Sequence, residues 1–158
     1  MKKIKKTKKR KTMVKKRHEK KFKFLDITTA DVAFAAYGKS LNKVFANAAL
    51  AMFEVIVNTG HVKPAREKKI EIRGHDLKSL LFNWLSELIF LFGSQNMVFS
   101  KFKVKIDKDM LVLNAVVAGE KINAKKHELR TEVKACTYHL MMVKKVGDVW
   151  RVQVILDI

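Results

Sequence analysis

The chain has 158 residues, of which 48% are hydrophobic, so it is long enough for one packed domain and too apolar to be disordered throughout. Its 34 Lys and Arg against 15 Asp and Glu give a formal net charge of +19. The single cysteine, Cys136, excludes an intramolecular disulfide and indicates a reducing compartment.

The N-terminal segment carries most of the positive charge. We predict that residues 1–21 form a low-complexity basic arm, separate from a domain over residues 22–158. Dense lysine and arginine bind nucleic-acid phosphates through counterion release, without reading base sequence. A solvated tail that aids solubility is the alternative. The candidate nucleic-acid contacts in the arm are Lys8, Lys9, Arg10, Lys11, Lys15, Lys16 and Arg17.

The arm is not followed by the apolar stretch that a secretory signal requires, so we expect a cytoplasmic protein. The next residues change character, because Phe22 and Phe24 alternate with lysines as in a strand, and residues 32–37 form a second extended candidate. Ser40 is placed to cap a helix whose apolar positions follow the 3.6-residue period. The sequence Asn58-Thr59-Gly60 ends that helix, and a strand is predicted over residues 69–73.

Asp76 is predicted to cap a second amphipathic helix over residues 77–92, which Gly93 ends. This apolar run is shorter than the roughly 20 residues of a membrane span. Strands are predicted over residues 98–107, 110–118, 132–146 and 149–158, the last two joined by a turn at Gly147-Asp148. Two helices and about six strands predict an α+β domain of two layers, in which two amphipathic helices pack on a mainly antiparallel sheet.

The motif Gly38-Lys39-Ser40 before a helix does not make a phosphate-binding loop. Such a loop needs the pattern GxxxxGK[ST], and Ala33 stands where its first glycine belongs. A nucleoside triphosphatase is therefore not expected. His127 and His139 lack zinc-site spacing and are interpreted as structural histidines, and Cys136 as a thiol packed in a strand.

Acidic residues are scarce in the apolar segments, which makes two of them informative. Asp31 lies between Ala30 and Val32, and Asp157 ends an alternating strand one residue before the terminal carboxylate of Ile158. Carboxylate oxygens brought together in this way are ligands for a hard divalent cation. The alternatives are a cap or turn for Asp31 and a solvated chain end for Asp157.

Lys134 lies between Val133 and Ala135 in a predicted strand. It is either a solvated surface residue or a functional ammonium group that faces the carboxylates. No general base and nucleophile stand in a recognisable pair, so a stand-alone metal-dependent hydrolase is not expected.

Several segments, read together, resemble the archease family over residues 22–158. The combination of the segment 132–139 (EVKACTYH) with the terminal Asp157 is specific, although neither would suffice alone. The matching segments are Thr29-Ala30-Asp31-Val32, Ala36-Tyr37-Gly38-Lys39-Ser40-Leu41, residues 45–53 (FANAALAMF), Leu80-Leu81, Trp84-Leu85, Glu87-Leu88, Gly119-Glu120, His127, residues 132–139, Trp150 and Ile155-Leu156-Asp157-Ile158.

The resemblance implies a non-catalytic protein that activates the GTP-dependent RNA ligase joining tRNA exon halves, by promoting ligase guanylylation and multiple turnover. It also implies a divalent cation, Ca²⁺ first with Mg²⁺ or Mn²⁺ as alternatives, held by the positions of Asp31, Asp157 and Ile158. The family's functional lysine falls on Lys134.

The chain also departs from the family pattern. Many members read EHTAD or DHTAD before the equivalent aspartate, whereas Thr28 stands near the histidine position here, and Ala33 replaces a glycine that often follows. No histidine role is therefore carried over to this segment. The competing hypothesis is a basic RNA-binding module that acts through its arm without a ligase role. In a combined version, the arm holds tRNA or the ligase–tRNA complex while the folded domain activates the ligase.

Overall fold

Seven strands and two helices make up residues 20–158, the part of the chain that the computed structural model describes. The arm residues predicted to contact nucleic acid, Lys8 to Arg17, lie outside these described residues. The elements are β1 (Phe22–Leu25), β2 (Val32–Gly38), α1 (Leu41–Ile56), β3 (Arg66–Arg73), α2 (Leu77–Gln95), β4 (Met97–Asp107), β5 (Val112–Lys121), β6 (Ala135–Val146) and β7 (Val149–Asp157).

The strands form two antiparallel sheets. One sheet has four strands in the order β1-β2-β7-β6, and the other has three in the order β3-β5-β4. The prediction of an α+β fold with antiparallel pairing is confirmed. The division into two sheets was not predicted, because alternation identifies a strand but not its partner.

Helix α1 is the centre of the core. It packs against β2 on one side and β4 on the other, so both sheets bury apolar side chains against it. The predicted cap is confirmed, since the Ser40 side chain accepts a hydrogen bond from the Lys43 amide at 3.1 Å. The fully buried Trp84 of α2 donates its indole N–H to the carbonyl of Phe45, which joins the two helices.

Helix α2 begins as predicted and ends later than predicted. Asp76 and Ser79 form a reciprocal capping box at its start. Gly93 does not end the helix: α2 continues to Gln95, and Asn96 takes the left-handed conformation at φ 54°. A single exposed glycine is tolerated within a helix, and asparagine is a good alternative to glycine at the left-handed C-terminal position.

Strand β6 begins at Ala135, three residues after the predicted start at Glu132. The preceding segment is bound instead to the C-terminal end of α1, where the amides of Arg130 and Thr131 donate to the carbonyls of Ile56 and Val55 at 2.8 and 3.0 Å. These bonds satisfy helix carbonyls that would otherwise be unpaired, which explains why the segment does not join the sheet.

Strands β4 and β5 approach each other closely at Gly119. A Cβ atom on this residue would lie 1.9 Å from the carbonyl oxygen of Val98, so no larger residue fits. A bulge between Phe99 and Lys101 lies beside this approach and shifts the register of β4 by one residue.

The carboxylate of Glu120, on β5, joins the loop before β3 to the loop after β5. It accepts hydrogen bonds from the Lys126 ammonium (2.6 Å), the Lys63 amide (2.6 Å) and Nε2 of the buried His127 (3.1 Å). Nδ1 of His127 accepts from the Asn123 amide, so Nε2 carries the proton. The Lys126 hydrogen bond above all, with the Lys63 and His127 bonds, lowers the pKa of Glu120 to about 2 against the opposing effect of burial. The prediction that His127 is structural is confirmed.

Glu120→Gln is expected to lower the free energy of unfolding by about 1–3 kcal/mol at pH 7, because an amide cannot match three bonds to a carboxylate. The folded-state pKa lies below the ordinary value, so the ionised group stabilises the fold fully above about pH 4.5 and loses that effect as the pH falls towards 2. Urea unfolding of wild type and variant, followed by tryptophan fluorescence from pH 7 to 3, measures this.

The gap between wild type and Glu120→Gln in the free energy of unfolding should narrow as the pH falls. Glu67→Gln is the matched control, because Glu67 is exposed on β3. A gap that stays constant down to pH 3 would rule out the charge of Glu120 as its source.

Candidate functional site

The two aspartates singled out in the sequence lie where β2 begins and β7 ends, at one edge of the four-stranded sheet. Strands β2 and β7 pair antiparallel, and the last pair at this end is Val32 with Leu156. Asp31 lies in a bend directly before β2, and continuing the register by one residue would set it across from Asp157. Opposed residues in such a pair have Cβ atoms about 5 Å apart, close enough for both carboxylates to bind one ion.

Strand β6 brings the predicted lysine to the same edge. Its first residue, Ala135, pairs with Asp157, so the next step sets Lys134 across from Ile158. The Lys134 amide donates to the carbonyl of Asp157 at 2.8 Å, which ties the residues before β6 to the end of β7. The side chain of Lys134 is exposed, while Ile158 is partly buried against the core.

Both carboxylates are accessible. Val32 and Leu156 pack on the core, so the alternation of a strand turns Asp31 and Asp157 to the opposite face of the sheet. Asp157 is exposed and Asp31 half-buried. Within residues 20–158, neither side chain has a hydrogen bond or an ion pair. Asp31 lies in a bend, which fits the turn weighed for it in the sequence, and the exposed Asp157 suits a solvated position as well as a cation ligand.

The donor set is chemically suited to a hard cation, since aspartate oxygens are the ligands that Ca²⁺ and Mg²⁺ prefer. Side chains of His, Cys, Asp and Glu do not gather in threes as a metal site anywhere in the described part of the chain. A cation at this edge therefore needs oxygens beyond the two aspartates, and the α-carboxylate of Ile158 is the nearest in sequence.

Other residues weighed in the sequence lie elsewhere. The thiol of Cys136 is buried in the core, and burial raises its pKa to about 12, as expected for a packing residue. His139 is exposed on β6, apart from the buried His127. Gly38 ends β2 at the opposite edge, where a Cβ would lie 2.5 Å from the amide of Val44, so its role is close packing against α1.

Neither helix in the described residues combines the length and apolarity that crossing a membrane requires.

Comparison with known proteins gives a consistent result. The model of the Archease protein family (MTH1598/TM1083) matches residues 22–158. Protein archease of Methanothermobacter thermautotrophicus is 48% identical over 141 residues, which cover 88% of this chain and 99% of that protein. Protein archease of Sulfurisphaera tokodaii is 43% identical over 138 residues, 87% of this chain and 99% of that protein.

Two solved structures agree with the fold. The solution structure of Methanobacterium thermoautotrophicum protein 1598 has a TM-score of 0.77 at 48% identity and covers 87% of this chain and 99% of its own. The crystal structure of a Thermotoga maritima archease, described as a possible chaperone, has a TM-score of 0.60 at 23% identity, over 83% of this chain and 93% of its own, and supports the fold alone. The family match and the identity to curated archeases together show that the chain belongs to the archease family.

Proposed function

We propose that this archease activates the GTP-dependent RNA ligase of tRNA splicing, promoting ligase guanylylation and multiple turnover without catalysing a reaction itself. Membership of the archease family supports an accessory role of this kind. The observation that carries the proposal is the pairing of β2 with β7, whose register brings two otherwise unbonded aspartates towards each other. Asp157 is exposed there, so a partner protein can reach it.

Asp31, Asp157 and the α-carboxylate of Ile158 are the groups that would hold a divalent cation. Ca²⁺ is the first candidate, and Mg²⁺ and Mn²⁺ accept the same oxygen donors. When bound, such a cation neutralises charge on phosphoryl oxygens, which nucleotidyl transfer requires. Asp157 belongs to β7, and Asp31 directly precedes Val32, the first residue of β2 that pairs with β7, so the sheet holds the backbone beside both carboxylates.

Lys134 supplies the positive charge at this edge. Its backbone is fixed by the bond from its amide to the carbonyl of Asp157, and its side chain is free to extend from the exposed edge. A lysine held in this way can contact a phosphate or a carboxylate of the partner. It therefore acts beside the carboxylates rather than as one of the cation's ligands, because an ammonium group has no lone pair to donate.

The alternative is an RNA-binding protein that acts through its basic arm alone, and the concentration of positive charge in residues 1–23 favours it. Deleting residues 1–19 separates the two functions. Ligase activation by the folded domain survives the deletion in the first case, and all activity is lost in the second.

The first prediction concerns ligation by the ligase of the source organism. Substoichiometric archease is expected to allow many ligation events per ligase, and Asp157→Asn is expected to abolish this stimulation because it removes one of two opposed charges. Multiple-turnover ligation of a split tRNA measures it, with thermal unfolding showing that the variant is folded. Asp148→Asn, in the exposed turn between β6 and β7, is the matched control. Full stimulation by the Asp157 variant would contradict the proposal.

The second prediction concerns the cation itself. Wild type is expected to bind Ca²⁺ in calorimetric titration, and Asp31→Asn is expected to weaken binding at least 10-fold, because it removes one of the opposed carboxylates. Asp107→Asn, at the far end of β4, is the control. Equal affinities of all three proteins would place the ion elsewhere.

The third prediction separates Lys134 from the cation ligands. Lys134→Gln is expected to lower ligase stimulation at least 10-fold while leaving Ca²⁺ affinity unchanged, and Lys134→Arg is expected to restore part of the stimulation. Lys144→Gln on β6 is the control of equal charge change. A loss of Ca²⁺ affinity in Lys134→Gln would show that Lys134 supports the site structurally instead.

A further inference from the structure

A cavity at the other end of β2 is lined by positive charge. It encloses about 450 Å³ between the start of β1, the N-terminal turn of α1 and the first half of β4. Five lysines from three separate segments surround it: Lys20, Lys21, Lys39, Lys43 and Lys101.

Backbone contacts explain why these segments meet. The amide of Tyr37 donates to the carbonyl of Lys21 at 2.9 Å, which holds the chain before β1 against the end of β2. Ser40 then caps α1, so Lys39 and Lys43 lie on either side of the helix start. Lys101 follows the bulge in β4, a feature that redirects side chains.

Among the described residues, no carboxylate compensates the charge of the cavity. All five lysines are exposed, and the residues described around the cavity include no aspartate or glutamate. Across residues 20–158, the ion pairs of the structure do not involve any of these ammonium groups. Five like charges around one concave surface repel each other, and an anionic ligand relieves that repulsion.

Protection of a sheet edge does not explain the cluster. Lysines on an edge strand prevent pairing with other chains, and Lys101 is on the edge strand β4. However, Lys39 and Lys43 flank a helix start, and Lys20 precedes the first strand. These lysines share the cavity rather than an edge.

The remaining lining favours a nucleotide chain over an acidic peptide. Tyr37 and Phe102 are half-buried in the walls. The ring of Phe102 already stacks on Phe53, with centroids 5.7 Å apart, so Tyr37 is the aromatic residue left for a base to stack on. The side-chain donors of Asn47 and Ser100 are already bonded to the carbonyls of Tyr37 and Val62. The ammonium groups are therefore the polar groups left for a ligand and suit phosphates, while Tyr37 and the apolar Ala46, Leu50 and Val149 offer surface to a base.

A second feature favours a polymer over a free nucleotide. Lys103 and Lys105 continue from Lys101 along the exposed face of β4, at alternate positions about 7 Å apart. These three lysines form a track whose first member, Lys101, also lines the cavity, while Lys103 and Lys105 line a neighbouring depression together with Glu71.

We propose that this cavity and track bind the phosphate backbone of single-stranded RNA, with a base against Tyr37. The site is on the folded domain, distinct from the arm over residues 1–19. It lies about 20 Å from the Asp31 edge, the length of β2, so it does not depend on the proposed ligase role.

Fluorescence anisotropy with a fluorescein-labelled 12-nucleotide oligouridylate and the full chain tests the proposal at several salt concentrations. A triple variant that combines Lys39→Gln, Lys43→Gln and Lys101→Gln is expected to bind the RNA at least 10-fold more weakly. The slope of log affinity against log salt concentration should be smaller in magnitude by about 2. The matched control removes the same charge at three exposed positions outside the cavity, by Lys78→Gln, Lys121→Gln and Lys125→Gln. Its RNA affinity should fall by less than about 3-fold. Equal losses in the two variants would overturn the proposal.

Photo-cross-linking of wild type to 4-thiouridine RNA gives a second readout that needs no variant. Cross-links are expected in peptides that contain Tyr37 or Phe102, and cross-links confined to residues 1–19 would overturn the proposal.

Competition distinguishes the ligand classes. Unlabelled oligouridylate should displace the probe, while displacement at equal concentration by uridine monophosphate or by polyglutamate would overturn the assignment to an RNA chain.

Discussion

The antiparallel pairing of β2 with β7 is the constraint on which both proposed sites depend. Seven residue pairs set the register, and core residues such as Phe34 and Val154 are completely buried on one face. A slip of one residue would turn these side chains away from α1, so the register is strongly specified. The same register brings the residue before β2, Asp31, towards the end of β7 at Asp157, and Gly38 delivers the chain to the start of α1 at the other end.

Features that depend on neighbouring residues were predictable from the sequence. Ser40 and Asp76 begin helices because each side chain bonds an amide three residues later. Helix ends were less predictable: Gly93 is a favourable stop signal, but α2 continues past it to Gln95, and Asn96 takes the left-handed cap position instead. The late start of β6 was not predictable either, because it depends on bonds to α1, which is more than 70 residues away in the chain.

The two proposed sites differ in how far the sequence reveals them. Asp31 and Asp157 stand out because each is a rare acid in an apolar segment. Their proximity, however, depends on the pairing of β2 and β7, which lie near opposite ends of the chain in sequence. The lysine cavity has no such signal. Lys39 and Lys101 are ordinary in a chain with 34 basic residues, and only the fold brings their segments to one surface.

The separation of the two charge clusters along β2 has an electrostatic consequence. RNA phosphates brought against Asp31 and Asp157 would be repelled unless a cation neutralised them. The lysine cavity lies at the other end of the strand, about 20 Å away, which exceeds two Debye lengths at physiological ionic strength. The two clusters are therefore electrostatically independent. Under the two proposals, one end of β2 would hold an RNA chain while the other presents its carboxylates to a protein partner.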